Sequence, residues 1–269
     1  MNISVIIPVH EYNEVIQGYL DKAIESIEKQ EGEQPKVIIV CPETIKNEIS
    51  NRPQVTSVSA ATITYVTSEG DTSYQAQVNL AVKSVTTEYF SVLEFDDEYS
   101  ATFFKRASEY VEAYPEIDVF LTMMIEVNAA NEGIKLTNET VWAQQFVGEN
   151  GEMGYLNTNS LKQYTDFKMS GAVIKKSDFE NLGGYKTQIK LTFMYEYLLR
   201  ALNNASKIFS IPKIGYKHLA TREDSLFDGY LKNMSVEERK FWFETATKES
   251  NFTNDRPIDL SRLQKIVVA

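Results

Sequence analysis

Short apolar runs alternate with helical patterns through the first 125 residues. The segment 3–8 is a nearly continuous β-branched run, as expected for a strand buried on both faces of a parallel sheet. A helical apolar period follows over 15–27, and a second buried strand is predicted at 37–40. The same order continues with strands at 63–66, 89–95 and 119–121 and helices at 74–85 and 101–113. This alternation predicts an α/β fold, with a mostly parallel sheet that carries helices on both faces.

The pattern weakens after residue 125. Between 128 and 164 the periodicity fades around Trp142 and Phe146, which predicts irregular structure or a lid. The later elements are a strand at 169–174, a short helix from 177, a helix at 191–202 and an edge strand at 208–212 that ends at its proline.

A capping box at Ser235 and Glu238 begins a C-terminal amphipathic helix. We therefore expect one domain over 1–226, with a nucleotide-binding half (1–125) and a second half (126–226). Residues 227–269 are expected to form a helical extension.

Composition excludes some classes of function. The net charge is −11 with a pI near 4.9, which disfavours nucleic acid as a partner. No segment is long and apolar enough to span a bilayer, the N-terminus lacks the features of a signal peptide, and the single cysteine, Cys41, fits a reducing compartment. A cytoplasmic location is the resulting expectation.

Four acidic residues within the segment 94–98 end the strand predicted at 89–95. Buried carboxylates are costly without a cation, and oxygen ligands suit divalent ions that bridge to phosphate. Ligands of open α/β sheets bind at the carboxyl ends of strands. Alternatively, Asp97 and Glu98 face the positive end of a helix capped by Ser100. The cluster by itself leaves both interpretations open.

Several segments that include this cluster occur in a recognisable order. They are SVIIPVH (4–10), QVNLA (77–81), LEFDD (93–97), SGA (170–172) followed by GGY (183–185), and YKH (216–218) followed by REDSL (222–226). In this order they resemble the family 2 nucleotide-sugar glycosyltransferases of the GT-A fold, over residues 3–226. Glutamate replaces the first aspartate of the family's metal motif, and valine and alanine replace the arginine and glycine that flank its asparagine.

The resemblance implies a metal-dependent, inverting hexosyltransferase that moves a sugar from a nucleoside diphosphate-sugar, by default a UDP-sugar, to an acceptor hydroxyl. The acceptor can be a glycan, a lipid-linked glycan, a protein or a modified base. The residues that the resemblance places at the donor are Pro8, His10, Glu11, Glu43, Asn79, Glu94 and Asp96. Those that it places at Mn²⁺ or Mg²⁺ are Asp96, Asp97 and His218.

Two departures from the family pattern change this expectation. The second strand ends in CPET (41–44) instead of an acidic pair, so Glu43 is the candidate for the contact to the nucleotide base. Phe193 and Met194 stand where the family has the acidic pair that supplies its catalytic base. Glu196, which can face either the site or solvent, is the predicted base. The possible substitutes for it are Asp166, Asp178 and Asp224.

Two other functions stay open. A nucleotidyltransferase would use metal-binding carboxylates for phosphoryl chemistry, but it usually has a basic, glycine-rich loop after the first strand. Residues 8–19 contain one glycine and no lysine or arginine. The replacement of the acidic pair by Phe193 and Met194 also suggests a catalytically weakened module of the same fold, which binds a nucleotide sugar without transferring it.

Overall fold

The computed structural model describes residues 2–52, 63–139, 154–220, 222–223, 225–253 and 257–267. Trp142, Phe146 and Asp224 lie outside these residues. The strands are β1 (Ile3–Pro8), β2 (Lys36–Pro42), β3 (Ile63–Ser68), β4 (Tyr89–Val92), β5 (Glu98–Tyr99), β6 (Val119–Val127), β7 (Gly133–Thr137), β8 (Val173–Lys175) and β9 (Ile208–Leu219).

Six of the ten helices in the described residues lie close to predicted positions, and the other four were not individually predicted. The ten helices are α1 (Glu14–Glu28), α2 (Glu43–Ser50), α3 (Tyr74–Val82), α4 (Phe103–Ala113), α5 (Thr158–Gln163), α6 (Lys176–Asn181), α7 (Phe193–Asn203), α8 (Leu226–Asn233), α9 (Val236–Thr247) and α10 (Ser261–Val267). Helix α1 starts where the Asn13 side chain accepts hydrogen bonds from the N–H groups of Val15 and Ile16, which satisfies two donors that the first turn leaves unpaired.

The strands form one sheet in the order β3-β2-β1-β4-β8-β6-β9-β5, and β7 pairs with β6. Strands β3, β2, β1 and β4 are parallel. In the second half, β8 runs antiparallel to both β4 and β6, while β6 and β9 are parallel. The carboxyl ends of β1, β2, β3 and β4 therefore meet at one edge of the sheet, where α/β folds bind ligands.

Each face of the sheet has its own apolar core. On one face, Ile6 and Val92 pack with residues of α3 and α7. On the other face, Val5 and Ile7 pack with residues of α1 and α4. Alternate residues of β1 thus enter different cores, which explains why its sequence is apolar without interruption. The predicted α/β class with helices on both faces is confirmed.

The structure corrects the prediction that Pro212 ends an edge strand. Strand β9 continues through it to Leu219, and it pairs with β6 on one side and with β5 on the other. The pairing with β6 shifts in register between Thr122 and Met124. Pro212 lies at this irregularity, where a residue without an N–H group breaks no ladder hydrogen bond.

The described part of 128–164 contains more regular structure than predicted. Strand β7 forms a hairpin with β6, and Asn131 adopts a left-handed conformation in the turn between them (φ 62°). Ile134 and Leu136 of β7 alternate with polar residues, but both are exposed, so this short alternation marks no buried face.

The C-terminal helices pack on the main core. Trp242 of α9 is buried within the core cluster that contains α7, and its carbonyl oxygen accepts a hydrogen bond from the Thr192 hydroxyl at 2.8 Å. The ring of Phe243 stacks on Tyr195 at 5.8 Å. No helix within the described ranges is long and apolar enough to cross a bilayer.

Candidate active site

The acidic segment forms a tight turn directly after β4. The N–H of Asp97 donates to the carbonyl oxygen of Glu94 at 3.0 Å, and the N–H of Glu94 donates to the hydroxyl oxygen of Tyr216 at 3.1 Å. Tyr216 approaches this closely because residue 171 is glycine. Gly171 has a φ of +69°, and a Cβ atom there would collide with the Tyr216 ring. The Tyr216 hydroxyl of β9 therefore fixes the position of the acidic turn.

Asp97 is bound by two consecutive residues at the end of β9. Its carboxylate oxygens lie 2.9 and 3.1 Å from Nδ1 of His218, and the N–H of Leu219 donates to Oδ1 at 2.9 Å. Burial acts to lower the pKa of His218, but the Asp97 carboxylate outweighs it and raises that pKa to about 9. Burial also raises the pKa of Asp97, and the charge and hydrogen bond of His218 oppose this effect.

Glu94 adds a second carboxylate to this pair. Its Oε1 accepts a hydrogen bond from the Ser170 hydroxyl at 2.5 Å. Burial, and then the charge of Asp97, raise the pKa of Glu94. Glu94, Asp97 and His218 each offer one atom that could bind a metal ion, and these three atoms lie within 4.8 Å of one another.

Asp96 has a separate cation. Nε of Arg222 donates to its Oδ2 at 2.7 Å, and the guanidinium group lies 5.2 Å from the centre of the Phe95 ring. On the neighbouring strand end, His10 packs against the same ring at 5.5 Å. Burial raises the pKa of Asp96, and the charge of Arg222 opposes this effect. The two aspartates of the turn thus face different partners.

The residues present fit a divalent cation. Two carboxylates and an imidazole converge on one point, and repulsion between Glu94 and Asp97 contributes to the raised pKa of Glu94. A cation at this point would relieve that repulsion. Carboxylate oxygen is the preferred ligand of Mg²⁺ and Mn²⁺, and imidazole is common in transition-metal sites. The sequence predicted Asp96, Asp97 and His218 as the metal ligands, but the cluster contains Glu94 in place of Asp96.

Comparison with known proteins agrees with this geometry. The model of glycosyl transferase family 2 matches residues 4–182, about two thirds of the chain. The chain belongs to glycosyl transferase family 2. The predicted family and its GT-A fold are confirmed. No sequence among the functionally curated proteins matches the chain.

Solved structures that resemble this family member are glycosyltransferases. S. aureus TarS 1–349 in complex with UDP-GlcNAc is 15% identical with a TM-score of 0.64, and the match covers 99% of this chain and 89% of that one. The longer TarS structure gives a TM-score of 0.59 at 14% identity, covering 91% of this chain and 48% of TarS. This chain thus spans about half the length of that relative.

A mannosyltransferase structure also has a similar fold. The mannosyltransferase PcManGT from Pyrobaculum calidifontis, in complex with GDP-Man and Mn²⁺, is 15% identical with a TM-score of 0.59. The match covers 83% of this chain and 58% of PcManGT. The identities are low, so these structures support the fold of the chain, while its donor and acceptor have to be argued from its own residues.

The residues predicted at the donor lie on neighbouring strand ends. Pro8 is the last residue of β1, and His10 and Glu11 follow it, with Nε2 of His10 3.5 Å from Oε1 of Glu11. Burial lowers the pKa of His10, and Glu11 opposes the effect. Glu43 begins α2 directly after β2, where its side chain is largely exposed and lies 3.9 Å from Lys46. Their contacts to a nucleotide stay predictions.

Asn79 does not face the donor in this structure. Its side-chain amide donates to the carbonyl oxygen of Tyr185 at 2.7 Å and accepts from the Tyr185 N–H at 2.8 Å. Gly184 lies so close that a Cβ atom there would collide with the Asn79 oxygen. The prediction of a nucleotide contact is corrected, because both polar atoms of the amide hold the turn that precedes α7.

Glu196 is not placed to act as a base. It is fully buried (0% exposed), and its two oxygens accept hydrogen bonds from Nε and one terminal nitrogen of Arg200 at 2.8 and 3.1 Å. Lys186 lies 3.4 Å from the same carboxylate. An acceptor hydroxyl cannot reach a carboxylate enclosed in this way. The prediction is corrected: Glu196 belongs to a structural ion pair within the core.

Two of the three substitutes considered for the base have partners of their own. Asp166 is an exposed residue whose carboxylate lies 2.6 Å from Nζ of Lys135. Oδ1 of Asp178 accepts a hydrogen bond from the Ser206 hydroxyl at 2.8 Å. Asp224 lies outside the described residues.

Sequence reasoning missed the role of Arg222. This residue was part of the segment that resembles the family, but no contact was assigned to it. A signal was available, since four acidic residues at the end of a buried strand need more than one cation. Arg222 follows His218 by four positions and is the nearest arginine after it in the sequence.

Proposed function

We propose that this glycosyl transferase family 2 protein moves a sugar from a nucleoside diphosphate-sugar to an acceptor hydroxyl, with inversion at the anomeric carbon. The observation that carries the proposal is the convergence of Glu94, Asp97 and His218 at the carboxyl edge of the parallel strands. The family match supports the reaction class.

In this proposal, Glu94, Asp97 and His218 hold Mn²⁺ or Mg²⁺, and Asp96 lies beside them. Such an ion supplies positive charge against the diphosphate leaving group. His218 would bind the ion as a neutral imidazole, so ion binding and proton release from His218 are coupled. Leu219 and Tyr216 keep the acidic turn in place, and Ser170 orients Glu94.

Arg222 has two alternative partners within the proposal. In the structure described here it neutralises Asp96 and packs over Phe95. A guanidinium group binds phosphate oxygens well because its donors form a planar fork. Arg222 is therefore placed to contact the donor diphosphate as well as Asp96.

The first experiment is a thermal-shift measurement with UDP or GDP in the presence of Mn²⁺, followed by a screen of UDP-GlcNAc, GDP-mannose and other nucleotide sugars for release of the nucleoside diphosphate. UDP-sugars come first because the TarS match covers almost the whole chain. We expect stabilisation that depends on Mn²⁺ and is lost in Asp97→Asn. The absence of any shift with both nucleotides would refute the proposal.

One observation favours a second candidate, a module that binds nucleotide sugars without transferring them. Phe193 and Met194 occupy the start of α7, and Glu196 is enclosed by Arg200 and Lys186. This candidate predicts the same Mn²⁺-dependent binding but no product with any acceptor. A turnover that disappears in Asp97→Asn would exclude it.

A further inference from the structure

Three aromatic rings line the start of α7, where the family resemblance led us to expect an acidic pair. The ring centre of Tyr74 lies 5.5 Å from that of Phe193 and 6.4 Å from that of Tyr185. Tyr185 and Phe193 contact each other edge to face at 5.2 Å. These distances are typical of packed aromatic pairs. We call Tyr74, Tyr185 and Phe193 the aromatic wall.

Tyr74 is held firmly in this wall. It is the first residue of α3, whose N-cap Ser73 accepts a hydrogen bond from the Ala76 N–H at 3.4 Å. The next residue, Gln75, donates from its amide to the carbonyl oxygen of Ile189 at 2.7 Å. The start of α3 is therefore tied to the segment that leads into α7.

The hydroxyl groups of Tyr74 and Tyr185 have different surroundings. Tyr185 is fully enclosed, and its hydroxyl lies 3.8 Å from the sulfur of Met169. Tyr74 is only partly buried, and its hydroxyl has no hydrogen-bond partner in the described part of the chain. Burial, and then the charge of Glu94, raise the pKa of Tyr74 far above its usual value. Asp97 acts in the same direction, so the hydroxyl is neutral. The wall lies close to the acidic turn, because the Tyr185 hydroxyl contacts Met169 and the neighbouring Ser170 donates to Glu94.

We propose that Tyr74 binds the sugar being transferred: its hydroxyl forms a hydrogen bond with a hydroxyl group of the donor sugar, and its ring, supported from behind by the buried Phe193, contacts the apolar face of the sugar. This inference rests on the proposed function, because it assumes that the diphosphate lies at Glu94 and Asp97. A phenol hydroxyl can donate to a sugar hydroxyl or accept from it. A partly exposed aromatic ring also offers an apolar surface at small entropic cost.

The test separates the sugar from the nucleotide. Calorimetric titration in the presence of Mn²⁺ measures the affinity for UDP and UDP-GlcNAc, and for GDP and GDP-mannose, with the full chain. Tyr74→Phe removes only the hydroxyl and keeps the ring. Tyr110→Phe is the matched control, because Tyr110 lies on α4 and its ring packs on Tyr114 and Phe209, outside the aromatic wall.

For Tyr74→Phe we expect unchanged affinity for the diphosphate and an affinity for the nucleotide sugar that is about 2- to 12-fold lower, as the loss of one hydrogen bond implies. Tyr74→Ala should lower the affinity for the nucleotide sugar further, and Tyr110→Phe should change neither affinity. The inference is overturned if Tyr74→Phe binds the nucleotide sugar as tightly as the wild type does. It is also overturned if Tyr74→Phe loses the same affinity for the diphosphate as for the nucleotide sugar. If the wild type binds neither diphosphate, the proposed function itself fails.

Discussion

Two clusters of buried charged residues in the described part of the chain have opposite surroundings. At the sheet edge, Glu94 and Asp97 share one imidazole, and the pKa of Glu94 is raised by burial and by Asp97. In the core, Glu196 alone is enclosed by Arg200 and Lys186, and Arg200 also donates to the carbonyl oxygens of Leu182 and Gly184. The first cluster has an excess of carboxylates. The second has an excess of cations.

This difference distinguishes a binding site from a structural element. A buried ion pair whose hydrogen bonds are all made has nothing left to offer a ligand, although removing one partner is very costly. A cluster of buried acids with too few cations can be relieved by protonation, by an ion or by a ligand. The sheet-edge cluster therefore fits the proposed ion, and the core cluster fixes the turn before α7.

The largest effect is expected from Arg200→Ala, which leaves Glu196 buried without its bidentate partner. The free energy of unfolding should fall by about 3–5 kcal/mol, measured by denaturant titration. Arg106→Ala is the control, because Arg106 pairs with Glu109 on the surface of α4. Exposed pairs of this kind contribute less than about 1 kcal/mol. Similar losses for both variants would show that the core pair has no special importance.

The second prediction concerns Asp97→Asn at the sheet edge. The amide keeps the shape of the side chain but removes the charge that faces His218 and the proposed ion. Sugar transfer should fall by about 100-fold or more, since a metal-bound charge contributes several kcal/mol to the barrier. The matched control is Glu109→Gln on the exposed face of α4. Asp97→Asn with normal turnover would remove the sheet-edge cluster from the mechanism.

The smallest effect is expected from Glu196→Gln, and this variant tests the contrast most directly. A glutamine keeps hydrogen bonds to Arg200 but loses the charge, so stability should decrease by about 1–3 kcal/mol. Transfer by the folded protein, measured well below the unfolding transition, should stay within about twofold of wild type. A catalytic base would instead lose about 10²- to 10⁴-fold, and that result would reinstate Glu196 in the site.

The sequence was sufficient for the elements that follow a simple period. Strands β1 to β4 and helices α1, α3 and α4 lie close to the predicted positions, because buried parallel strands are largely apolar and amphipathic helices repeat their apolar residues every three to four positions. Helix α2 and the two-residue strand β5 were not predicted. The acidic turn and the distant His218 segment could also be found. The resemblance placed them in one site, and the structure brings Asp97 and His218 into direct contact.

The features that the sequence did not reveal depend on contacts between distant segments. Glu196 lies outside the apolar stripe of its helix, yet it is buried because Lys186 and Arg200 surround it. Asn79 resembles a ligand residue, but Tyr185 takes both of its polar atoms. Charge and residue type indicate that a group needs a partner, while only the fold determines which partner it receives.

Strand β9 carries Tyr216, His218 and Leu219 into the site, and it is paired with β6 along this stretch. Tyr216 is also paired with Tyr99 of β5 on the other side. Side chains on a strand anchored in this way have already lost most of their conformational entropy during folding. Ligand binding then needs little further ordering of this half of the site, so more of the contact energy is expressed as affinity.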